Sequence, residues 1–288
     1  MSDATLTTDA PVTLAGEAQT ATPMVEAAAA RGPATPTHRH WIVVPCYNER
    51  KWIEQTVDAI AAQTDTEFVL LIVNNASTDE TRAIAERRIA SHSQLTGMVL
   101  DEPDKGTGCA ADTGFRFAID NGAEIVFRTD ADCVPTPTWF AELKRTMIEK
   151  KLDAAGGRVR IRTDDVELTR TTIMMSRIGS LLVPRIGPLL RSNRGEGYLS
   201  PYVLMPGPNV AIRATTYTAS GGYPRRSFDT NYLDKDIANA VRRTTPNISH
   251  ARTAVVHASE RRTAGYGVRG TIAWMLRREA PVAATDLR

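Results

Sequence analysis

Short apolar runs separated by segments with helical spacing set the pattern of the sequence. Four such runs occupy residues 41–45, 68–73, 97–100 and 124–128. The segment between the first two runs, residues 52–63, carries apolar side chains three and four positions apart, as an amphipathic helix does. Strands that alternate with helices are typical of a mostly parallel sheet with helices on both faces, so the sequence predicts an α/β fold of this kind.

The remaining predicted elements follow from the same periodicities. Helices are expected over residues 81–90, 112–121 and 139–151, strands over 154–161 and 210–213, and an amphipathic helix over 169–182. Ser77 or Thr78 is expected to cap the first of these helices. A loop rich in glycine and proline, residues 195–208, interrupts the second half of the chain.

Polar loops follow three of the predicted strands. These loops are residues 45–49, 74–79 and 130–132. In open α/β sheets, ligands bind outside the carboxyl ends of the strands. The three loops are therefore expected to meet at one binding site.

The third loop contains two carboxylates, Asp130 and Asp132, directly after an apolar strand. Side chains two residues apart on an extended chain lie on the same side, roughly 7 Å apart. Oxygen ligands presented in this way suit a hydrated Mg²⁺ or Mn²⁺ that also contacts substrate phosphates. Because solvated turns often carry an isolated Asp-x-Asp as well, the motif alone does not decide between a metal site and a turn.

The composition excludes several classes of protein. Residues 1–37 are rich in Ala, Thr and Pro and contain too few large apolar side chains to offset the entropy of ordering, which predicts a disordered tail. This segment lacks the basic start and apolar core of a signal peptide. The sequence also contains no run of about eighteen apolar residues, so it predicts no membrane span. The three cysteines are too widely spaced for a disulfide framework or a zinc site, which favours a cytoplasmic protein.

With these loops in order, the sequence resembles the family 2 glycosyltransferases of GT-A fold, from about Trp41 to Arg262. The motifs that carry the resemblance are Val43-Val-Pro-Cys-Tyr-Asn-Glu49, Val73-Asn-Asn-Ala-Ser-Thr-Asp-Glu-Thr81, Asp104-Lys-Gly-Thr-Gly108, Thr129-Asp-Ala-Asp132, Pro206-Gly-Pro-Asn-Val-Ala-Ile-Arg213, Gly221-Gly-Tyr223 and Leu233-Asp-Lys-Asp236. Each motif is weak by itself, but the whole series in the expected order is a strong signal.

The resemblance implies a nucleotide-binding role for the first motifs. Pro45, Tyr47 and Glu49 would surround the nucleobase and ribose. Asn75 would face the edge of the base, and Lys105 would lie beside the nucleotide. Many relatives carry an acidic residue in place of Asn75, which suits the imide N–H of uracil. Because an amide can donate as well as accept, the resemblance favours a UDP-sugar donor only slightly.

The later motifs would supply the chemistry. In the Asp130-Ala131-Asp132 segment, Asp130 would bind ribose and Asp132 would ligate the Mg²⁺ or Mn²⁺ that bridges the diphosphate. His257 matches a position where many relatives place a further metal ligand. Asp234 would be the general base that deprotonates the acceptor hydroxyl in an inverting transfer.

The identity of the base stays open between two carboxylates. Relatives often have Glu-Asp where this chain has Leu233-Asp234. The loss of the first carboxylate makes Asp236 a rival of Asp234, which the alignment of the motif favours.

The resemblance also divides the chain and implies its partners. Residues 38–265 would form the GT-A catalytic domain, with a nucleotide-sugar half up to residue 155 and an acceptor half from residue 156, followed by a C-terminal amphipathic helix and tail at 266–288. The acceptor would be a glycan, a lipid-linked sugar or a natural product, and no nucleic-acid partner is expected. Residues 173–191 would be a core or lid helix or, with a lipid acceptor, a peripheral membrane contact that includes Arg177, Arg185 and Arg191.

Two other functions are weighed against sugar transfer. A sugar-nucleotide-binding protein without catalysis is disfavoured because both Asp132 and Asp234 are present. A nucleotidyltransferase would need a long glycine-rich, basic loop directly after the first strand, and Pro45-Cys-Tyr-Asn-Glu49 is unlike such a loop.

Overall fold

A computed structural model describes residues 39–166, 168–225 and 233–261 of the protein. The predicted disordered tail at 1–37 and the predicted helix and tail at 266–288 lie outside the described residues, as does Arg262.

An eight-stranded sheet runs through the described part of the chain. Its strands are β1 His40–Cys46, β2 Val69–Asn74, β3 Gly97–Asp101, β4 Ile125–Arg128, β5 Val134–Pro135, β6 Ala154–Ile161, β7 Val210–Arg213 and β8 Ile248–Ala258. The order across the sheet is β3-β2-β1-β4-β7-β6-β8-β5. β3, β2, β1 and β4 are mutually parallel, as are β6 and β8, whereas β7 and β5 run antiparallel to their neighbours. The sheet is therefore parallel in its first half, as predicted, and mixed in its second half.

Helices cover both faces of this sheet. They are α1 Ile53–Ala61, α2 Thr81–Ser91, α3 Thr107–Asp120, α4 Trp139–Glu149, α5 Arg170–Ile186, α6 Ala214–Ser220 and α7 Leu233–Thr244. Two short 3₁₀ turns, Gly187–Leu189 and Arg191–Asn193, follow α5.

The side chains of β1 show how the core is divided. Ile42 and Val44 pack with α1, α2 and α4 on one face, whereas Trp41 and Val43 pack with α3, α6 and α7 on the other. A strand that is buried on both faces is apolar at every position, which accounts for the continuous run at residues 41–45. The predicted arrangement of helices on both faces is confirmed.

Local patterns placed some boundaries incorrectly. Helix α3 begins at Thr107 and not at Asp112, because its first turn, although it lacks large apolar residues, packs small side chains such as Ala110 and Ala111 in the core. The strand β5 and the helix α6 were not predicted, since neither is long enough to show a period.

The predicted cap of α2 is wrong. This helix begins at Thr81, and neither Ser77 nor Thr78 caps it. The backbone N–H of Thr81 donates to the Asp79 carboxylate at 3.0 Å, while the hydroxyls of Ser77 and Thr78 bond to Asn48. The two hydroxyls thus stabilise the loop after β1, which contains Asn48.

Among the helices of the described residues, none has both the length and the apolar character needed to span a bilayer. Cys46, Cys109 and Cys133 are buried free thiols.

Candidate active site

The loops that follow β1 and β2 are joined by hydrogen bonds beside the carboxyl ends of the strands. The side-chain oxygen of Asn48 accepts from the backbone N–H of Thr78 at 2.8 Å, and the backbone N–H of Asn48 donates to the Ser77 hydroxyl at 3.0 Å. Asn48 has a φ of 55°, a left-handed conformation that asparagine adopts more readily than most residues. Because β1 lies between β2 and β4 in the sheet, these loops border the Asp130–Asp132 loop, as predicted.

Tyr47 and Lys105 meet at the exposed edge of the site. The ammonium nitrogen of Lys105 lies 5.2 Å from the centre of the Tyr47 ring and 3.5 Å from its hydroxyl. Pro45, which was predicted to belong to the same loop as Tyr47, is instead a buried residue of β1. An aromatic ring and a cation therefore face the solvent together where a nucleotide was predicted to bind.

Asn75 holds the loop that carries Lys105. Its side-chain amide donates to the backbone oxygens of Glu102, at 3.1 Å, and Asp104, at 2.7 Å. Its side-chain oxygen accepts from the backbone N–H of Gly106 at 2.7 Å. Both amide protons are thus used within the protein, and the residue is buried. The structure gives Asn75 a positioning role, and its contact with a base edge stays a prediction.

Arg261 links two of the predicted site carboxylates. Its Nη2 lies 2.8 Å from Oε1 of Glu49 and 2.8 Å from Oδ2 of Asp132. All three side chains are largely buried, with exposed fractions of 17% for Arg261, 11% for Glu49 and 21% for Asp132. A charge-assisted pair in such surroundings is stronger than one at the surface.

The carboxyl group of Glu49 is poised to change its charge near neutral pH. Burial, together with repulsion from Asp132, raises the pKa of Glu49 to about 7 against the opposing hydrogen bond from Arg261. Its second oxygen, Oε2, is buried without a hydrogen-bond partner among the described residues. Glu49 therefore has a free hydrogen-bonding position inside the site.

A second ion pair surrounds Asp130. The guanidinium of Arg128, the last residue of β4, donates to Oδ1 of Asp130 from Nε at 3.2 Å and from Nη2 at 2.9 Å. Arg128 is almost completely buried, and within the described residues its Nη1 has no hydrogen-bond partner. This arginine is the counter-ion of the acidic loop, residues 130–132, and retains one donor that is unused within the described residues.

Asp234 reaches the same place from α7. A Cβ added at Gly207 would stand 2.8 Å from Oδ1 of Asp234 and 2.9 Å from Nη2 of Arg128, so the two groups border one point of the backbone. Burial raises the pKa of Asp130, as do the charges of Asp132 and Asp234, while Arg128 opposes these effects. The three predicted carboxylates, Asp130, Asp132 and Asp234, thus influence one another.

Two buried side chains fix the backbone of the acidic loop. The hydroxyl of Thr56, on α1, contacts the backbone oxygens of Ala131 and Cys133 at 2.8 Å each. The guanidinium of Arg162, just after β6, donates to the backbone oxygen of Asp132 at 3.3 Å. Neither residue was predicted to serve the site. Thr56 belongs to the segment with helical spacing at residues 52–63, and Arg162 lies outside every motif.

Asp236 and His257 lie at the borders of this arrangement. Asp236 shares the first turn of α7 with Asp234. His257 lies within β8, where it pairs with Val134 of β5 and Arg160 of β6. Burial, followed by the charge of Arg160, lowers the pKa of His257, so the ring is neutral at neutral pH. The metal-ligand role of His257 and the base role of Asp236 stay predictions.

The residues present fit a divalent ion that is shared with a substrate. The described part of the chain has no group of three or more His, Cys, Asp or Glu residues suited to a metal, so the protein alone does not form a cage. Mg²⁺ and similar ions at phosphate sites commonly take one or two carboxylates, and phosphate oxygens and water complete the shell. Asp132, beside the cationic Arg261, matches this donor set.

Comparison with known proteins assigns the chain to a family. The model described as Glycosyl transferase family 2 matches residues 41–205, more than half of the sequence. The chain therefore belongs to glycosyl transferase family 2.

Curated relatives match over part of their length. The chain is 30% identical to glycosyltransferase AglE of Haloferax volcanii over 120 residues, which is 41% of this chain and 38% of that protein. It is 27% identical to polyprenol monophosphomannose synthase of Mycolicibacterium smegmatis over 120 residues, 41% of this chain and 45% of that protein. The matching segment thus spans less than half of either relative.

Solved structures confirm the GT-A fold. Mannosyltransferase PcManGT from Pyrobaculum calidifontis, in complex with GDP-Man and Mn²⁺, aligns with a TM-score of 0.59 at 23% identity over 83% of this chain and 60% of its own. TarS 1-349 of S. aureus, in complex with UDP-GlcNAc, aligns with a TM-score of 0.54 at 18% identity over 77% of this chain and 58% of its own.

Proposed function

We propose that this protein is an inverting glycosyltransferase that moves a sugar from a nucleotide-diphosphate donor to an acceptor hydroxyl. The proposal rests on a cluster of three carboxylates: Asp130 and Asp132 follow β4, and Asp234 approaches them from α7. Arg128 pairs with Asp130, and Arg261 pairs with Asp132. Membership of glycosyl transferase family 2 supports this assignment. The bound GDP-Man and UDP-GlcNAc of the structural neighbours support a nucleotide-sugar donor without choosing its base.

The donor nucleoside would bind between the loops at residues 45–49 and 74–79 on one side and the loop that carries Lys105 on the other. The ring of Tyr47 and the ammonium of Lys105 offer stacking and charge at the exposed edge. Oε2 of Glu49, which is buried without a hydrogen-bond partner among the described residues, would bond to a ribose hydroxyl. Asn75 contributes by holding the Lys105 loop in place.

The diphosphate would lie over Asp132 and Arg261. Among the described residues, Arg261 uses one nitrogen, Nη2, for both of its carboxylate bonds, which leaves its other side-chain donors for phosphate oxygens. A divalent ion on Asp132 would stabilise the leaving diphosphate as a Lewis acid. Arg261 would then balance the charge that the diphosphate gains as it departs.

Asp234 would accept the proton of the acceptor hydroxyl. Its position in the first turn of α7 and its proximity to Arg128 favour the ionised carboxylate. The hydroxyl oxygen attacks the anomeric carbon opposite the diphosphate, so a single base is sufficient and the anomeric configuration inverts.

Donor binding can be measured by thermal unfolding of the full chain with nucleoside diphosphates and Mn²⁺. A ligand at about 100 times its dissociation constant adds about 2.7 kcal/mol, which corresponds to a rise of about 5–10 °C for a domain of this size. We expect one nucleoside diphosphate to raise the Tm in this way and to lose most of its effect in excess EDTA. If no nucleoside diphosphate raises the Tm with either Mn²⁺ or Mg²⁺, the proposal is wrong.

We also propose that residues 170–195 rest on an anionic membrane surface. The segment exposes large apolar side chains at helical spacing: Met174, Met175, Ile178, Leu181, Leu182, Ile186, Leu189 and Leu190. It also contains five arginines and no acidic residue. Apolar exposure with cationic flanks favours binding to acidic lipid, at about 1 kcal/mol for each basic residue near the surface.

Vesicle co-sedimentation tests this surface. We expect the protein to bind phosphatidylcholine vesicles that contain phosphatidylserine and to bind poorly to vesicles without it. Ile178→Asp should weaken the binding, whereas Ile148→Asp on α4 should not, although Ile148 is 52% exposed and Ile178 43%. Equal binding of both variants would contradict a contact through α5.

A further inference from the structure

A cavity of about 700 Å³ lies beside the acidic loop, between β6 and α5. Such a volume suits a ligand of sugar or lipid-headgroup size. Arg158, Arg160 and Arg162 line it from the sheet side, and Ile173 and Leu181 line it from α5. Its walls are thus cationic on one side and apolar on the other.

The strand geometry explains why the arginines converge. Residues 158, 160 and 162 alternate along β6 and its extension, and alternate residues of a strand share one face. Because β6 pairs with β8 in parallel, His257 lies directly beside Arg160.

Within the described part of the chain, two of the three arginines have no ion-pair partner. Arg162 is paired with Asp164 at 2.8 Å and also bonds the backbone oxygen of Asp132. Arg158 and Arg160 form no side-chain hydrogen bond or ion pair among the described residues, although other surface arginines do. Of the described residues that line the cavity, Asp164 alone is a carboxylate, and it is already bound to Arg162.

We propose that this cavity binds the acceptor through a phosphate group held by Arg158 and Arg160. A guanidinium group can bind two phosphate oxygens at once through two parallel N–H···O hydrogen bonds. A phosphate group is therefore the best match for two adjacent arginines that have no other partner among the described residues. Arg162 both lines the cavity and contacts the acidic loop, so a bound phosphate compound lies next to the proposed reaction centre. The apolar side chains of α5 accommodate the remainder of the acceptor.

This inference rests on the proposed function and defines the chemical class of its acceptor. The acceptor hydroxyl oxygen forms a bond to the anomeric carbon, and the bond from that carbon to the diphosphate breaks, with its electrons leaving on the diphosphate. The hydroxyl proton passes to the carboxylate base. The phosphate of the acceptor is unchanged and serves as an anchor.

Binding of simple phosphates to the full chain tests the proposal. The donor site is first filled with Mn²⁺ and the nucleoside diphosphate that stabilises the protein. Glycerol 3-phosphate and decyl phosphate, with glycerol and decanol as uncharged controls, are then titrated by calorimetry. We expect the phosphates to bind and the alcohols not to bind. Arg158→Gln and Arg160→Gln should each weaken phosphate binding by about tenfold or more, as expected for the loss of one charge-assisted contact.

Arg87→Gln, a change at an exposed arginine of α2, is the matched control and should bind phosphate as the unchanged protein does. Tighter binding of decyl phosphate than of glycerol 3-phosphate would indicate a lipid phosphate acceptor, and the reverse order would indicate a soluble one. Unchanged phosphate affinity in Arg158→Gln and Arg160→Gln would overturn the assignment of the cavity. If the nucleoside diphosphate binds and neither phosphate does, this inference fails while the proposed function stands. If no nucleoside diphosphate binds, the proposed function fails first.

Discussion

Replacing Asp132 with alanine is expected to reduce turnover by about 10³-fold or more. Asp132 is the proposed metal ligand, and stabilisation of a leaving diphosphate by a divalent ion contributes several kcal/mol, with a tenfold rate change for about every 1.4 kcal/mol. The substitution also removes one of the two carboxylates that hold Arg261. The substitution therefore disturbs both proposed partners of the departing diphosphate, the divalent ion and Arg261. Initial rates with saturating donor and acceptor measure the effect.

The fold should tolerate this change, because Asp132 is at the edge of the site and is 21% exposed. Its Tm without ligand should stay close to that of the unchanged protein, while the Mn²⁺-dependent rise in Tm with nucleoside diphosphate should disappear. Asp120→Ala, at an exposed carboxylate that ends α3, should keep both activity and the Tm rise. Full activity of the purified protein in excess EDTA would contradict a metal on Asp132.

The strands and the loops of the site could be predicted because their signals are local. The apolar runs at 41–45 and 68–73 coincide with β1 and β2 to within one residue at each end. Once these strands are parallel neighbours, the loops at their carboxyl ends must lie at one edge of the sheet. The Asp130–Asp132 loop joins them because β4 pairs with β1.

The counter-ions of the site depend on long-range contacts that a local pattern does not contain. Arg261 bonds Glu49 across 212 residues and Asp132 across 129 residues. No pattern near Arg261 in the sequence indicates these two carboxylate partners. Arg128 did carry a usable signal. A buried arginine at the end of a four-residue apolar strand requires a nearby negative charge, and two carboxylates follow it.

Two asparagines show that a motif position does not define a role. The amide of Asn209 donates to the backbone oxygens of Arg158 and Ala254 at 3.0 Å each, and its oxygen accepts from the Trp139 indole at 2.9 Å. This residue of the Pro-Gly-Pro-Asn motif therefore fastens β6, β8 and α4 together. Asn75 likewise holds a loop. An amide has the same hydrogen-bonding groups whether it meets a ligand or the backbone, so only the folded structure distinguishes these uses.

Asp234→Asn is expected to lower kcat by about 10²-fold or more, as the loss of a general base typically does. Asparagine keeps the size and shape of the side chain next to Gly207, where a Cβ would stand only 2.8 Å from Oδ1 of Asp234. The fold should therefore be unaffected, and the change should remove only the proton acceptor. Donor affinity, measured by the Tm rise with nucleoside diphosphate and Mn²⁺, should barely change because Asp234 is assigned to the acceptor side.

Asp236→Asn is the matched control for the base, because Asp236 lies in the same first turn of α7. Asp234 is close enough to Arg128 and Asp130 for its charge to influence their pKa values, which supports Asp234 as the base. We therefore expect Asp236→Asn to retain most of its kcat under the same donor and acceptor concentrations. If Asp236→Asn is inactive while Asp234→Asn turns over normally, the base is Asp236, and the alignment of the Leu233–Asp236 motif is shifted by two residues.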